Sequence, residues 1–448
     1  MKRILAILTL LLVSVALFAG GGNEEPTSSA AATGERDLGG RTITCASWWD
    51  PSPDMNAEWG QRLQAKIEYF EELYNFHMEW TQPGDWAFMR DEIVASTLAG
   101  DPVADLVYVD QSWLAPFVAQ DLLLPLEGYS EINTTDPWWH PLKMAGFTFN
   151  GHAYGIKDFY VEPGTGVFVN KDMLEREGLG DIYDLQESGQ WDWDTMLEMA
   201  RAVTRDRDGD GQTDQWGFAN DNLAMLPQML IYGNGGSVID GVDQGEPYVA
   251  LDSPQSIEAI QFYQDLILQE KVVMTQPEGS EWNWYMSEFA AGNILFLPGY
   301  FWYTDQFGDV QDEYGFVLFP EGPQGDGNIV TYSPSNTICI PAGVENVEDV
   351  LFVWNEIWKP NDEFDNPDAD PYEWLYSKVM DTESVELTLH HMYEDNAFVI
   401  SMFGMYGLKD IVEQQIFPAI ASGEASPSAQ IEEMLPVLES ALDNTLGR

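Results

Sequence analysis

Residues 191–218 read WDWDTMLEMARAVTRDRDGDGQTDQWGF. Asp192 is placed to cap a helix whose apolar residues Trp193, Met196, Leu197, Ala200 and Val203 recur at the helical interval, and the QWGFA that closes the stretch has the character of a strand. The loop between them, Asp206 to Asp214, carries Asp206, Asp208, Asp210 and Asp214, with the backbone carbonyl of Gln212 and with Gly211 for a tight turn. Oxygen ligands on alternate residues of one loop suit a hard cation, so the spacing predicts one structural Ca²⁺. It is half of an EF-hand loop, because Gly217 stands where the bidentate Glu belongs. The competing reading is a solvated acidic turn.

Outward from this stretch the chain alternates strand and helix. RTITCASWW reads as a first strand, AEWGQRLQAKIEYFEEL as a helix, FHMEW as a strand, MRDEIVASTLAG as a helix ending at Gly100, and DLVYV as a strand. Helices of that length between strands predict parallel pairing with right-handed crossovers, hence an α/β fold. With 448 residues the chain suffices for two domains, each with its own core.

Six further segments occur in register: LVYVDQSWLAPFVAQDLLLPL (106–126), FNGHAYGIKDFYVEPGTGVFVNKDMLEREG (149–178), LDSPQSIEAIQFYQDLILQE (251–270), EFAAGNILFLPGYFW (288–302), YGFVLFPEGP (314–323) and SNTICIPAGVENVEDVLFVWNEIW (335–358). Together with 191–218 they resemble the family 1 extracellular solute-binding proteins of ABC importers, the group of maltose-binding protein. The resemblance implies a two-lobed periplasmic-binding-protein fold of type II, each lobe a mostly parallel sheet flanked by helices, with a hinge between. It places lobe one at 41–158 and 335–400 and lobe two at 159–334 and 401–448. The implied function is capture of a sugar or short oligosaccharide between the lobes by hinge closure, followed by delivery to the permease subunits of an ABC transporter, by a monomer. A few members hold calcium in a loop of the 206–214 type, remote from the cleft.

A sugar presents an apolar C–H face and a belt of hydroxyls, so its site needs an aromatic platform beside planar polar groups. Trp48, Trp49 and Asp50 come where the first strand gives out, and Asp110, Gln111 and Trp113 where the third does, at the ends where α/β sheets place ligands. Trp282, Trp284, Tyr300, Phe301 and Trp302 cluster around two turns. The resemblance adds Tyr160, Thr165 in the Gly164-Thr165-Gly166 turn, Asn234 in Gly233-Asn234-Gly235-Gly236, and Asn336. Each aromatic has ordinary core packing as its alternative role, and the glycine turns have plain turns as theirs.

The formal net charge is −56, with only 19 Lys and Arg. Nucleic acid is thereby excluded as a partner, since counterion release requires basic side chains, and an anionic membrane surface would repel the chain. The charge suits dispersal in saline surroundings and disfavours a strongly anionic ligand. Lys2 and Arg3 before the apolar run Ile4 to Phe18 predict a cleaved signal peptide over 1–19, followed by a flexible tether at 20–40. Gly21 stands where a lipoprotein would carry Cys, so the expected location is the periplasm without a membrane anchor. Cys45 and Cys339 lie in apolar strand-like segments and read as two buried thiols, with one disulfide as the alternative. No HExxH or GxSxG occurs, and His390-His391 reads as a surface pair, so no catalytic residue is assigned. The runner-up function is a periplasmic glycoside hydrolase using cleft carboxylates; a calcium-dependent adhesion module is the third.

Overall fold

The computed structural model describes residues 36–136, 138–139, 144, 146–156, 164–221, 223–242, 246–328, 331–332, 336–361, 363–365, 373–376, 378–389, 398–399 and 402–448. The chain first lays down β1 (Arg41–Ala46), α1 (Glu58–Tyr74), β2 (Phe76–Thr81), α2 (Trp86–Ala99), β3 (Leu106–Asp110), α3 (Gln111–Val118) and β4 (Gly155–Ile156). Helix α1 buries Ile67, Phe70 and Tyr74 at helical spacing and ends where Asn75 turns left-handed at φ 54°. Helix α2 starts on the side chain of Asp85, which accepts from the Phe88 amide, and stops at Gly100. These boundaries agree with the sequence pattern.

The chain then crosses to a second sheet. It forms β5 (Thr165–Asn170), α4 (Trp193–Val203), β6 (Trp216–Ala219), α5 (Met225–Gly233), α6 (Pro254–Leu268), β7 (Val273–Met274), α7 (Trp284–Ala290), β8 (Ile294–Tyr300), β9 (Tyr314–Val317) and β10 (Thr331–Tyr332). It returns for β11 (Asn336–Cys339) and α8 (Val347–Trp358), then crosses again for β12 (Phe398–Val399), α9 (Met402–Met405) and the long α10 (Pro427–Leu446). The first sheet runs β2-β1-β3-β11-β4 and the second β7-β6-β8-β5-β10-β12, with β9 also paired to β5. The expected α/β architecture is present, but the sheets are mixed rather than mostly parallel. β1, β2 and β3 pair in parallel, whereas β11 runs antiparallel to β3 and β4, and β5 antiparallel to β8, β9 and β10. β5 and β11 are the strands by which the chain enters from the other sheet, so no crossover helix imposes a parallel direction on them.

Sequence and structure agree closely at α4. The Asp192 side chain accepts from the Thr195 amide at 2.8 Å, and Trp193, Met196, Met199, Ala200 and Val203 face the core. The loop after the helix closes on itself through Arg205 and Gln215, whose amide-to-carbonyl bond is 3.0 Å, before β6 begins. Gly217 sits directly beneath this helix. A Cβ there would lie 2.4 Å from that of Ala200, so packing, not metal chemistry, fixes the residue at that position.

One core lies between the first sheet and α1 and α8, around Ile43, Phe70, Ile338 and Trp354. A second joins Val107, Val109 and Phe117 of the first sheet's side to Val167, Phe218 and Phe296 of the second, with Phe403, Met405 and Tyr406 between them. A third covers the second sheet's far face, where Phe168, Phe289, Tyr303 and Phe316 meet Leu375, Val385 and Leu389. The last three residues correct the expected lobe boundary at 400. Described residues from Leu375 to Val399 pack on the second sheet: the Phe316 amide donates to Ser384 Oγ at 2.9 Å, and β12 pairs with β10. The side chains of Leu375, Val385 and Leu389 cluster with Phe168 of β5 and with Tyr314 and Phe316 of β9.

Cys45 and Cys339 are free buried thiols on β1 and β11, with β3 between them in the sheet. Burial pushes both thiols well above their ordinary pKa.

Trp191 is fully buried, and its indole N–H donates to the Leu318 carbonyl at 2.8 Å, pinning the end of β9 to the start of α4. Trp191→Ala should cost about 3–5 kcal/mol, as for other large-to-small core changes. Urea denaturation checks this; a loss under about 1 kcal/mol would mean the core re-forms around the gap.

Candidate functional site

The C-terminal ends of β1 and β3 carry a group of indoles. Trp48 and Trp49 meet edge to face at 4.6 Å, Trp48 lies 5.1 Å from Trp113, and Trp113 lies 5.0 Å from Trp86 at the start of α2. Trp49 packs on Tyr108 at 4.5 Å. Trp48, Trp49 and Trp86 are half-buried, whereas Trp113 is 2% exposed and its buried Nε1 has no hydrogen-bond partner within the protein.

Asp110 organises this group. Its Oδ1 accepts from the Ser112 amide at 2.9 Å and hydroxyl at 2.6 Å, capping α3, and its Oδ2 accepts from Trp86 Nε1 at 3.2 Å. Asn336 lies opposite it in register on β11. Asp50 is exposed, and the hydroxyl and amide of Ser52 hold its carboxyl below the usual carboxylate range. Gln111 points elsewhere: it is buried, and its Nε2 donates to the Gly146 carbonyl at 3.1 Å.

Across from these, Tyr300 ends β8 with Thr165 opposite it in register. Trp302 is partly exposed and its ring stacks with Tyr300 at 6.1 Å, but Phe301 between them turns into the core against Phe316. Phe301 to Asp305 form a short 3₁₀ helix directly after β8, in which neighbouring side chains leave the axis in different directions, so one side chain of the three is lost to the interior. Asn234 is fully buried. It donates to the Gln255 carbonyl at 3.0 Å and to Glu258 Oε2 at 3.1 Å, and accepts from the Gln324 amide at 2.9 Å, which leaves it a packing residue. The neighbouring glycines follow suit, since a Cβ on Gly233 would meet the Pro320 carbonyl at 2.5 Å. Tyr160 and His390-His391 lie outside the described residues.

The structure adds residues that sequence reasoning did not select. A cavity of about 330 Å³ is walled by Trp86, Arg90, Ser112, Trp113, Pro116 and Phe117 on one side and by Gly404, Gly407, Lys409 and Asp410 on the other. Lys409 Nζ binds both oxygens of Glu413, at 2.6 and 2.8 Å. Burial opposes its charge, but Glu413, Tyr300 and Asp110 together hold the ammonium above its ordinary pKa. Tyr300 is pushed up to about 12 by burial, with Glu413, Asp110 and Asp221 adding to the rise and Lys409 opposing it. The charges of Asp110, Asp221, Lys409 and Glu413, from distant parts of the chain, therefore all act on one tyrosine. Carboxylates, an ammonium and an unpaired indole donor beside stacked rings can hold a hydroxyl-rich, largely neutral ligand.

Asp221 stands where β6 gives way to α5. It is 7% exposed, its Oδ1 accepts from the Met225 amide at 2.8 Å, and its buried Oδ2 has no hydrogen-bond partner within the protein. Burial pushes its carboxyl up to about 7, with Glu413 adding and Lys409 opposing.

In the acidic loop, Asp206, Asp208 and Asp210 bring one oxygen each within 4.8 Å of one another, all exposed. Asp206 accepts from the amides of Gly211 and Gly209, which lowers its pKa. Asp214 instead accepts from the amides of Arg207 and Asp208, and the Gln212 amide donates to Asp210. Three of the five expected ligands thus converge, and the loop's own amides bond to all four of its carboxylates.

The model of the family described as bacterial extracellular solute-binding protein matches residues 56–358. Among solved structures, the maltose/maltodextrin-binding domain MalE from Bdellovibrio bacteriovorus, bound to maltotriose, aligns with TM-score 0.65 at 14% identity, covering 91% of this chain and 100% of that one. The GacH receptor of Streptomyces glaucescens, solved unliganded and with acarbose, gives TM-score 0.64 at 17% identity over 90% of this chain and 99% of that one. A solute-binding protein of an ABC transporter from Thermotoga lettingae, bound with α-D-tagatose, gives 0.60 at 19% identity over 90% and 99%. At these identities the likeness is one of fold, and the fold is the two-lobed one.

Asp221 should leave a mark on stability. An unfolded Asp titrates near about 3.9, so between there and about 7 the folded chain holds a proton that the unfolded chain lacks, and stability falls as pH rises through that window. The facing groups are Glu413, Lys409, Tyr263, Tyr285, Tyr300 and Tyr303. Asp221→Asn removes this group from the titration, so its denaturation midpoint should drop less than wild type between pH 5 and pH 8. Equal slopes would show that Asp221 ionises as freely as in the unfolded chain.

Proposed function

Because the chain belongs to the bacterial extracellular solute-binding proteins, we propose that it is the binding component of an ABC importer, capturing a sugar or short oligosaccharide between its two sheets. The observation that carries this reading is the cavity between α2 and α3 and the 404–410 segment, with indoles of Trp86 and Trp113 on one wall and Lys409 and Asp410 on the other. Its two walls come from segments some 300 residues apart, so approach of one to the other closes it around a ligand, as in hinge closure. The named relatives were solved with maltotriose, acarbose and tagatose, which are all hydroxyl-rich.

The ligand then passes unchanged to the transporter's permease subunits. Family membership gives an extracytoplasmic setting, and the periplasm is the finer assignment we propose. No helix among the described residues is long and apolar enough to cross a membrane. Family membership does not favour the hydrolase reading, and Asp110, with three donors on its carboxylate, is poorly suited to exchange protons with a substrate. The reading includes one structural Ca²⁺ on Asp206, Asp208 and Asp210, with Asp214 turning to join them and Gln212 adding its carbonyl.

Screening the purified protein by thermal shift against sugars, polyols, peptides and metal chelates tests the first part. A ligand at about 100 times its Kd adds about 2.7 kcal/mol to the native state, which raises the melting temperature by several degrees. At least one sugar should do so, and X-ray scattering should show compaction with it. Stabilisation by peptides or chelates while every carbohydrate is inert would overturn the assignment.

The ion has its own test. At fixed ionic strength, EDTA should lower the melting temperature and millimolar Ca²⁺ restore it, while Asp208→Ala abolishes the response without changing ligand preference. Identical melting curves throughout would leave an acidic turn.

A further inference from the structure

Arginine is scarce in this chain, and most of it is spent on carboxylates of other elements. Arg36 and Arg41 reach Asp349 and Asp105, Arg176 reaches Asp312, and Arg201 and Arg205 reach Glu270 and Glu177. Arg90, on the cavity wall formed by α2 and α3, is paired differently. Among the described residues its carboxylate partner is its own sequence neighbour, Asp91, whose Oδ1 accepts from Nε at 3.0 Å and lies 2.9 Å from Nη2. Both side chains are exposed, at 42% and 72%, and an exposed pair of this kind holds a guanidinium weakly.

The guanidinium is nevertheless kept at the wall. Its carbon lies 5.6 Å from the centroid of the Trp86 ring, within the range of a cation–π contact. Trp86 is fixed in turn by the bond from its Nε1 to Asp110. The rest of this wall has donors and few free acceptors. Trp113 has a buried Nε1 with no acceptor within the protein. Ser112 spends its hydroxyl on Asp110, and Gln120 spends its Nε2 on the Pro116 carbonyl at 2.9 Å.

The opposite wall has the reverse balance. Lys409 gives its ammonium to both oxygens of Glu413, and Asp410 stands beside it, so negative charge is already plentiful there. A ligand anion is thus placed at Arg90, not at Lys409. A guanidinium offers parallel N–H groups that match the two oxygens of a carboxylate, which a hydroxyl cannot reproduce. The net charge of −56 opposes a polyanion, but at about 1 M salt the Debye length is only ~3 Å, so distant carboxylates are screened and the contacting guanidinium decides.

Resting on the sugar reading above, we propose that the α2–α3 wall of the cavity recognises a single carboxylate through Arg90, and that the ligand is a sugar acid: a uronic acid, or a short oligosaccharide that carries one. Asp91 releases the guanidinium to it, Trp86 keeps the fork in place, and the acid's oxygens supply the acceptors that this wall lacks.

Calorimetry at 1 M NaCl with matched pairs tests this: glucose against glucuronate, galactose against galacturonate, mannose against mannuronate, and xylotriose against xylotriose bearing one glucuronosyl branch. In at least one pair the acid should bind tenfold or more tighter than its neutral counterpart. Arg90→Gln should erase that preference, Arg90→Lys should restore only part of it, and both variants should melt with the wild type. Binding confined to neutral sugars, in these pairs or in the wider screen, would overturn the acid assignment while leaving the sugar reading intact. A preference for the acid that survives Arg90→Gln would overturn the role of Arg90. If no carbohydrate of either kind binds, the sugar reading fails and the acid assignment with it.

Discussion

The carboxylate of Asp110 is the point on which the rest of the site depends. One oxygen caps α3 through Ser112, the other holds the Trp86 indole, and the backbone of the same residue pairs with Asn336 where the chain has returned from the second sheet. A short, multiply satisfied acceptor at a strand end fixes three elements at once. It also brings negative charge close enough to Lys409 and Tyr300 to influence both. Remove it and the cavity loses the start of one wall together with the orientation of an indole on it.

Basic side chains are scarce here, and several are used where the chain comes back on itself. Arg36 reaches Asp349 on α8 and Arg41 reaches Asp105, tying the start of the first sheet to its late-arriving helix and to β3. Lys66 bridges to the Lys359 carbonyl and Asp365. Lys171 binds Glu313 and Asp381, and Tyr183 donates to the same Asp381. That last group fastens the stretch from Leu375 onward to the second sheet. Most of the 75 acidic residues have no cation to meet, so mutual repulsion is the background against which these few pairs act.

What the sequence made legible follows from how local each signal is. The cap at Asp192, the buried stripe of α4 and the stop at Gly100 are all encoded within a few residues, and all are found. Strand-end tryptophans were legible as a set, because turns at sheet ends are surface positions. Which of them turn inward was not: Trp302 and Phe301 are adjacent, and only the short 3₁₀ helix that follows β8 sends one to solvent and the other to Phe316. Asn234 looked like a loop amide until its three hydrogen bonds were placed. Lys409 and Trp86 were out of reach for another reason. They meet across more than 300 residues of chain, and nothing near either in sequence announces the other. The antiparallel entry of β5 and β11, and the docking of Leu375, Val385 and Leu389, are likewise properties of long-range pairing.

The two buried thiols have a use that neither packing nor transport requires. Cys45 and Cys339 sit on strands flanking β3, inside the sheet, with no partner within bonding reach across the intervening strand and with burial suppressing the thiolate. They can cross an oxidising compartment without pairing and are silent to alkylating reagents while the sheet is intact. Any labelling of the wild-type chain therefore counts excursions in which the first sheet itself comes apart. The molecule carries its own clock for unfolding, indifferent to the opening and closing of the cleft.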